Sequence, residues 1–480
     1  MLKLILLFLI VHTQAWAVEL SSEQAVMMAL RSNTVLAVQK INSKIIKTRE
    51  QSSRSKFDAK INASIVSSHK KGLRGYSTGE ETAKNIMSLS LSKQLKTGTV
   101  LTLSGSSSLE NINEDPVNDI KKFKDIELEL NQALLKGRGS NIALVEVRKA
   151  SLNTQITVSQ LKGYTMGLIT DVLHAYWNTY YLKARLKMVE VSKQLAQAQK
   201  QRVLNMVEAG QLAEIEIAAS KAELASREEL VVSARGDFDI QRINLIALLK
   251  PGKEKKINWN TPFDKMEDTS KVDLNLAELK GYIQRGLKQR PEIHQVKDKL
   301  TLNELELIQS RNGLLPKLDL FMRVNRSKFH DSFINKKSDK MNKGQELTVG
   351  LNFSYALGHR AEKAQLKKSV YSRKQQELSL INLQLIIEVD IRLSWIQVHK
   401  LKQKEKAATQ TLKFRRESLK AELNKFDVGR STSLNVARVQ RDLLSAELGH
   451  LKTKIDIIKA LVSLAEAEGG LIDRYAVIAE

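Results

Sequence analysis

The sequence predicts a mixed α and β fold in which long helical hairpins alternate with amphipathic strands in two tandem copies. First, two long runs contain few Gly or Pro residues and carry heptad-like apolar stripes, which favours coiled-coil packing of neighbouring helices. Second, several short segments alternate apolar and polar residues with the period of a half-buried strand. Third, a Trp and a later lone Gly recur in both copies, as Trp177 with Gly210 and as Trp395 with Gly429. Such an internal repeat predicts the organisation of the whole chain.

The start of the chain has the organisation of a secretory signal peptide at residues 1–17. A charged start at 1–3 precedes an apolar stretch at 4–11, and residues 15–17 form an A-x-A cleavage site. We therefore expect the mature chain to begin near Val18. No later segment holds the roughly 18 consecutive uncharged apolar residues of a membrane helix. The sequence predicts an exported protein without helical membrane anchors.

Composition narrows the possible function classes. The chain has 480 residues, of which 42% are hydrophobic, and it contains no Cys. Thiol nucleophiles, disulfides and thiolate zinc sites are therefore excluded. The net charge of +24 is compatible with an acidic partner such as nucleic acid or an anionic membrane surface. Lys and Arg residues that cover the solvent faces of long helices explain the same charge without a partner, and export argues against nucleic acid.

The repeat and the turn signals predict how the chain is divided. A first structural repeat covers 18–260 and a second covers 271–470, with a linker at 261–270 and a tail at 471–480. Each repeat is expected to begin with one helix, at 20–56 and at 276–311. The first repeat continues with strands at about 59–69, 85–95, 98–107 and 124–133 and helices at about 139–208 and 212–249. The second continues with strands at about 316–325 and 346–356 and helices at about 359–426 and 431–467.

The predicted strands are polar on one face and apolar on the other, which is typical of transmembrane barrel strands of about ten residues. An amphipathic strand on the core of a soluble sandwich has the same pattern, so both alternatives stay open. The first repeat is longer because it holds an additional hairpin at 85–107, which either joins the wall of a barrel, folds over the barrel or extends outside it. Polar segments at 70–83, 111–122 and 325–343 are expected to form loops at one end of the strands.

Together these features resemble the TolC-type outer-membrane efflux proteins. The resemblance rests on the signal peptide, the duplicated order of elements, the sequences LNQALLKG at 130–137 and AYW at 175–177, and two turns in which a Gly lies six residues before Glu216 or Asn435. It implies a trimeric outer-membrane β-barrel that continues into a long periplasmic α-helical coiled-coil barrel, in a Gram-negative cell. Three protomers would give a barrel of about 18 strands if the additional hairpin joins its wall, whereas the family usually has twelve.

The resemblance also implies a function and partners. The family forms passive exit ducts of tripartite efflux or type I secretion systems, embedded in outer-membrane lipid. A periplasmic adaptor protein docks on the helical tips, and an inner-membrane transporter supplies the energy. In this chain the candidate adaptor-docking residues at the tips are Gly210, Gln211, Gly429 and Arg430.

The candidate periplasmic aperture lies just after the same turns. The resemblance assigns it to Glu216, Asn435 and Arg438. Family members often carry acidic residues at the positions of Asn435 and Arg438, where they form carboxylate rings that favour cations. We therefore expect a less acidic, or even anion-tolerant, aperture in this protein.

The sequence contains no catalytic constellation, and we expect no enzyme activity, no cofactor and no metal site. The eight His residues show neither a metalloprotease motif nor a short paired-ligand spacing. An exported coiled-coil adhesin or periplasmic scaffold protein is the alternative from another class, and it predicts neither a detergent-requiring trimer nor conductance. A basic nucleic-acid-binding protein is a third hypothesis, which requires a cytoplasmic location and salt-sensitive binding.

Overall fold

The computed structural model describes residues 20–71, 81–114, 117–249, 278–331 and 342–475. The predicted signal peptide at 1–17 and linker at 261–270 lie outside these ranges. The chain forms two compact units. The first contains Met1–Ile41, Ser159–Ile293 and Asn382–Glu480, and the second contains Asn42–Val158 and His294–Ile381.

The described residues form ten α-helices, four of which have 35 or more residues. In chain order the helices are α1 (Ser22–Ser32), α2 (Thr34–Arg54), α3 (Ser140–Ala143), α4 (Val145–Glu208), α5 (Ile215–Leu249), α6 (Leu279–Gln289), α7 (Pro291–Gly313), α8 (Arg360–Asp427), α9 (Ser433–Ala467) and α10 (Leu471–Tyr475). The short helix α10 occupies the start of the predicted tail. Within the described residues, no helix combines the length and the apolar character that crossing a bilayer requires.

The helix expected at 20–56 is divided in two at Asn33. This residue has an extended backbone, and its buried side chain takes over the hydrogen bonds that a continuous helix would have made. Its Oδ1 atom accepts from the backbone N–H groups of Val35 at 2.9 Å and Leu36 at 3.1 Å. Its Nδ2 atom donates to the carbonyl of Leu248 at 3.1 Å. Asn33 therefore starts α2 and fixes it to the end of α5.

The helix expected at 276–311 is divided for a different reason. Pro291 is the first residue of α7, a position where its missing N–H is not needed. A proline also disfavours helical backbone in the residue before it, and Arg290 is accordingly extended, with ψ of 127°. The sequence contained this signal, because Pro291 stands in the middle of the expected helix.

The core of the first unit surrounds the aromatic pair at the centre of α4. Tyr176 is fully buried and donates from its hydroxyl to the carbonyl of Leu20 at 2.9 Å. The ring of Trp177 meets it edge-on, with 5.2 Å between ring centroids. Buried residues of α1, α2, α5 and α9 pack on the pair, among them Val26, Leu36, Leu245 and Ile455. The aromatic residues of this stretch therefore serve packing.

Six strands of the second unit form one antiparallel sheet in the order β1 to β6. Their bounds are β1 (Lys60–Lys71), β2 (Glu81–Gln94), β3 (Thr99–Glu114), β4 (Val117–Ala133), β5 (Lys317–Asp331) and β6 (Asn342–Ser354). The additional hairpin, β2 and β3, lies inside the sheet between β1 and β4. The sequence had left this placement open.

Every strand extends further toward the predicted loops than the sequence indicates. The expected loop at 111–122 is wrong over most of its length, because β3 and β4 stay paired out to Glu114 and Val117. The alternation of apolar and polar residues lapses beyond Leu109 on β3. The extension is therefore held by backbone ladder bonds that leave no periodic signal in the sequence.

The two faces of the sheet differ in an unusual way, since the apolar face is the more exposed one. Ile65 on β1 is 75% exposed and Phe353 on β6 is 67% exposed. The register aligns apolar residues across neighbouring strands, in one row Leu91, Leu103, Leu128, Val324 and Leu347. The opposite face is polar, in one row Asn62, Ser90, Ser104, Glu127, Asn325 and Glu346. A sheet that packs on a soluble core has the reverse arrangement.

Replacing Asn33 by Ala is expected to destabilise the first unit by about 2 kcal/mol. The substitution removes the acceptor that starts α2 and leaves the carbonyl of Leu248 without its donor. The measurement is the thermal or denaturant unfolding midpoint of the purified protein. Asn42→Ala, at an exposed position of the same helix, is the matched control and should leave the midpoint within experimental error. Equal midpoints for both variants would contradict this account of the helix break.

Candidate functional site

The two turns predicted as helical tips have the same backbone structure. Gly210 follows α4 with φ of +70°, and Gly429 follows α8 with φ of +74°. The N–H of Gly210 donates to Val207 at 2.9 Å and that of Gln211 donates to Met206 at 2.8 Å. At the other turn the N–H of Gly429 donates to Phe426 at 3.0 Å and that of Arg430 donates to Lys425 at 2.8 Å. Both helices therefore end in a Schellman motif, for which glycine is the favoured residue.

A small apolar core holds the two turns together within the first unit. Val203, Phe426 and Val436 are fully buried, and they come from the ends of α4 and α8 and the start of α9. The guanidinium of Arg202 lies 5.9 Å from the centre of the Phe426 ring and also pairs with Asp427. The sequence analysis missed this cluster. Val203 lies seven residues before Gly210 and Phe426 lies three residues before Gly429, so the internal repeat gave no signal that these two side chains meet.

Glu216 links one tip to the other. Its carboxylate accepts from the backbone N–H of Ser433 at 3.1 Å and also from the Ser433 hydroxyl. Ser433 is the first residue of α9, whose amide groups lack partners inside the helix and carry the positive end of the helix dipole. The Thr432 side chain completes the cap by accepting from the N–H of Asn435 at 3.3 Å. Glu216 thus has a structural partner, which the sequence analysis did not predict.

The other predicted residues lie at the surface around these turns. Asn435 and Arg438 are exposed on the first turns of α9, which contain no acidic residue. Gln211 and Arg430 are also exposed, immediately after the glycines. Within the described residues, neither Arg430 nor Arg438 forms an ion pair. The structure therefore gathers Glu216, Asn435 and the glycine turns at one end of the helices of the first unit, with their polar groups accessible.

Ion pairs connect the two helices of each hairpin along their length. They are Arg185 with Asp237 at 2.6 Å, Arg235 with Glu190 at 2.9 Å, Lys193 with Glu228 at 3.0 Å, Arg415 with Asp442 at 2.8 Å and Arg416 with Glu447 at 3.2 Å. Exposed pairs of this kind contribute little stability each. They do neutralise part of the basic charge of the helices and favour one register between them.

Polar groups also lie inside the helical core, where α4 meets α9. The Nε2 atom of His174 lies 3.2 Å from the carbonyl of Lys459, and the Lys459 ammonium donates to the side chain of Asn178 at 3.0 Å. Because the partner of Nε2 is a carbonyl, the ring is the tautomer with a proton on Nε2. Burial is the main cause that lowers the pKa of His174, and the charge of Lys459 adds to it. Burial likewise raises the pKa of Glu466.

Metal-binding groups do not come together in the part of the chain that the structure describes. No cluster of three or more His, Asp or Glu residues there has an arrangement that could hold a metal ion. The polar groups at the tips are helix caps, and those at His174 are bonded to backbone and amide groups.

Residues 282–470 match the sequence model of the outer membrane efflux protein family. No curated protein matches the chain at a significant level. The fold is similar to that of the outer-membrane channel OprN, with a TM-score of 0.70 and 15% identity over 94% of this chain and 90% of that one. It is also similar to the CmeC outer membrane channel of Campylobacter jejuni, with a TM-score of 0.67 and 14% identity over 94% and 85% of the two chains.

A third solved structure with this fold is the outer membrane protein VceC of Vibrio cholerae, with a TM-score of 0.67 and 12% identity over 94% of this chain and 96% of that one. At these identities the likeness concerns the fold alone. Together with the family match, it confirms the resemblance to TolC-type outer-membrane efflux proteins that the sequence predicts.

Replacing Glu216 by Ala is expected to loosen the start of α9 by about 1–2 kcal/mol, because the first amide of the helix loses an anionic acceptor. Hydrogen exchange at residues 433–436 should become faster, while exchange at the centre of α9 stays unchanged. Glu214→Ala removes an exposed acid two residues away and serves as the control. Protection at 433–436 that is equal in both variants would show that Glu216 does not cap α9.

Stability of the first unit is expected to fall as the pH decreases through the ordinary histidine pKa of 6.5. The folded state keeps His174 neutral because its pKa is lowered, whereas the unfolded chain takes up a proton at the ordinary value. Protonation therefore favours the unfolded state below about pH 6.5 and has no effect above it. Unfolding midpoints measured between about pH 7.5 and 5.5 should show this decline, and His174→Gln should reduce it. His399→Gln, at an exposed position of α8, is the control and should keep the wild-type pH dependence.

Proposed function

We propose that this protein is an efflux channel of the outer membrane, in which three copies close their sheets into one barrel. The observation that carries the proposal is the sheet, whose exposed face is apolar and whose other face is polar. Soluble proteins rarely expose a contiguous apolar surface of this extent. Such a surface usually contacts a membrane or another protein. A lipid-facing outer surface and a water-facing lumen account for both faces at once.

The free edges of the sheet support closure by several copies. Among the described residues, β1 and β6 each pair with one neighbouring strand, so one side of each carries backbone groups without a partner strand there. In lipid such groups have no water to bond to, and only a closed barrel satisfies all of them. A single sheet of six strands is too narrow to close around an open pore. Pairing of β1 with β6 of the next copy joins three sheets into one wall.

The number of strands distinguishes this channel from the family pattern. Three sheets of six strands give about 18 strands, against the twelve that the resemblance implies. Because barrel diameter grows with strand number, the additional hairpin widens the pore. A row that includes Glu127, Asn325 and Glu346 would face the lumen and keep it hydrated.

The helical tips are proposed as the site where a periplasmic adaptor docks. The glycine turns at Gly210 and Gly429 are alike in backbone structure and present exposed polar residues beside them. Tip rigidity supports this role, since the Glu216 cap and the buried Phe426 hold the turns before any partner binds. An inner-membrane transporter supplies the energy, and the chain itself acts as a passive duct for efflux or type I secretion.

Reconstitution in a planar phosphatidylcholine bilayer tests the proposal. The detergent-purified protein should run as a trimer and produce stable single-channel conductance. A wall of 18 strands predicts a conductance above that of a twelve-stranded relative measured in the same buffer. The alternative, an exported coiled-coil adhesin or periplasmic scaffold, predicts neither a detergent-requiring trimer nor conductance. A water-soluble monomer without conductance would establish that alternative instead.

We expect a less acidic, or even anion-tolerant, periplasmic aperture, because α9 begins without acidic residues and carries Arg438. The double variant Asn435→Asp, Arg438→Asp should shift the reversal potential under a KCl gradient toward cation selectivity. Gln410→Glu together with Lys413→Glu makes the same change of charge at exposed positions of α8 and is the matched control. Strong preference of the wild-type channel for K⁺ over Cl⁻ would contradict the proposed aperture.

A further inference from the structure

Five basic residues form a patch on the apolar face of the sheet, at its loop end. This basic patch consists of Lys122, Lys124, Arg326, Lys328 and Lys343. Strand alternation puts the two residues of β4 on the face that carries Ile126 and Leu128, and it puts those of β5 on the face that carries Val324. All five side chains are exposed.

The register brings three of these lysines side by side. Lys124 lies directly opposite Lys328, and Lys328 lies directly opposite Lys343. Side chains paired in this way have Cβ atoms about 5 Å apart, and like charges at that distance destabilise a sheet. A bound anion beside these three ammonium groups would reduce the repulsion between them and so stabilise the sheet.

The chain does not supply that anion in its described part. On this face of β4, β5 and β6 there is no acidic residue, since Asp125, Glu127 and Glu346 all point to the polar face. No ion pair within the described residues involves a member of the basic patch. Basic residues of the polar face do have partners, as Lys84 pairs with Glu110 at 3.6 Å and Arg323 with Glu129 at 3.3 Å.

The basic patch borders the apolar part of the same face. On β4 the next residue on this face after Lys124 is Ile126, and on β5 the one before Arg326 is Val324. On β1 to β3 the corresponding positions are uncharged, for example Ser67, Asn85 and Ser107. Lysines also occur elsewhere on this face, as Lys71 on β1 and Lys93 on β2. Within the described residues, however, lysines stand directly opposite one another only on β4 to β6.

We infer that the basic patch binds the phosphate groups of lipid head groups at the outer boundary of the membrane. The inference rests on the proposed function, in which the apolar band lies in lipid and the loop end faces outward. Phosphorylated lipids present fixed negative charge at that depth, and each nearby Lys or Arg adds to the attraction. Arg326 can form a bidentate pair with a phosphate, while the lysines act as point charges. Lipid A, a phosphorylated glycolipid, is the ligand class that fits an outer leaflet.

The test compares lipid binding by the full-length wild-type protein with that by a variant of the basic patch. Wild-type protein and the variant Lys124→Gln, Lys328→Gln, Lys343→Gln are placed in nanodiscs of phosphatidylcholine with or without lipid A, and the lipids retained after extraction are counted by native mass spectrometry. Wild-type protein should retain lipid A in preference to phosphatidylcholine. In the triple variant the ratio of retained lipid A to retained phosphatidylcholine should fall at least about tenfold. Lys404→Gln, Lys413→Gln, Lys420→Gln changes the charge equally on exposed positions of α8 and should bind lipid A like wild type.

Three outcomes overturn the inference. They are an unchanged preference in the triple variant, an equal loss in the α8 control, and displacement of lipid A by inorganic phosphate at the same phosphate concentration. The last outcome would show a site for free phosphate. Conductance of wild-type protein in phosphatidylcholine alone is recorded in parallel, because it tests the channel and does not depend on the patch. If the wild-type protein conducts and the triple variant still prefers lipid A, the basic patch does not bind lipid phosphate. The proposed function is then unaffected.

Discussion

Backbone hydrogen bonding at the two free edges of the sheet constrains the rest of this structure. In the proposed channel the exposed apolar face lies in lipid, and lipid offers no partner for the open sides of β1 and β6. The proposed closure with sister copies would satisfy those groups, and it requires a single register throughout the wall. A slip of one residue between any two strands would exchange the faces. All five strand pairs keep the faces apart, because most apolar residues of each strand stand opposite apolar residues of the next, as Leu103 does with Leu128.

Backbone hydrogen bonding also determines the structure of the helical tips. Each glycine turn satisfies its own carbonyl groups locally, through bonds that do not depend on the other turn. Glu216 and the buried Phe426 add the long-range contacts that hold the two turns in one arrangement. A surface assembled from two different hairpins is therefore fixed by very few side chains. The first turn of α9 contains no acid of its own, and Glu216 supplies a carboxylate to it as a cap.

Periodic and local signals made much of the fold predictable from sequence. The long helices, the glycine turns and the alternating strands depend on residue spacing that a single sequence displays, as at Gly210 and Gly429. The features that were missed depend on contacts between distant residues or on backbone bonds. Asn33 divides a helix because its side chain reaches Leu248, and Glu216 caps a helix that begins more than two hundred residues later. The strand extension to Glu114 is held by ladder bonds and carries no alternation.

The large positive charge of the chain is distributed according to its surroundings. Along the helices it is partly neutralised by ion pairs such as Arg185 with Asp237. On the polar face of the sheet, acids accompany the bases, as Glu129 accompanies Arg323, which suits a hydrated lumen where both signs occur. On the apolar face of β4 to β6 the bases stand without acids, and like charges are directly opposed at Lys124 and Lys328. Repulsion of this kind is tolerable only where counterions are concentrated. In the proposed channel that place is the layer of lipid phosphates beside the apolar band, so the excess charge lies where the membrane can compensate it.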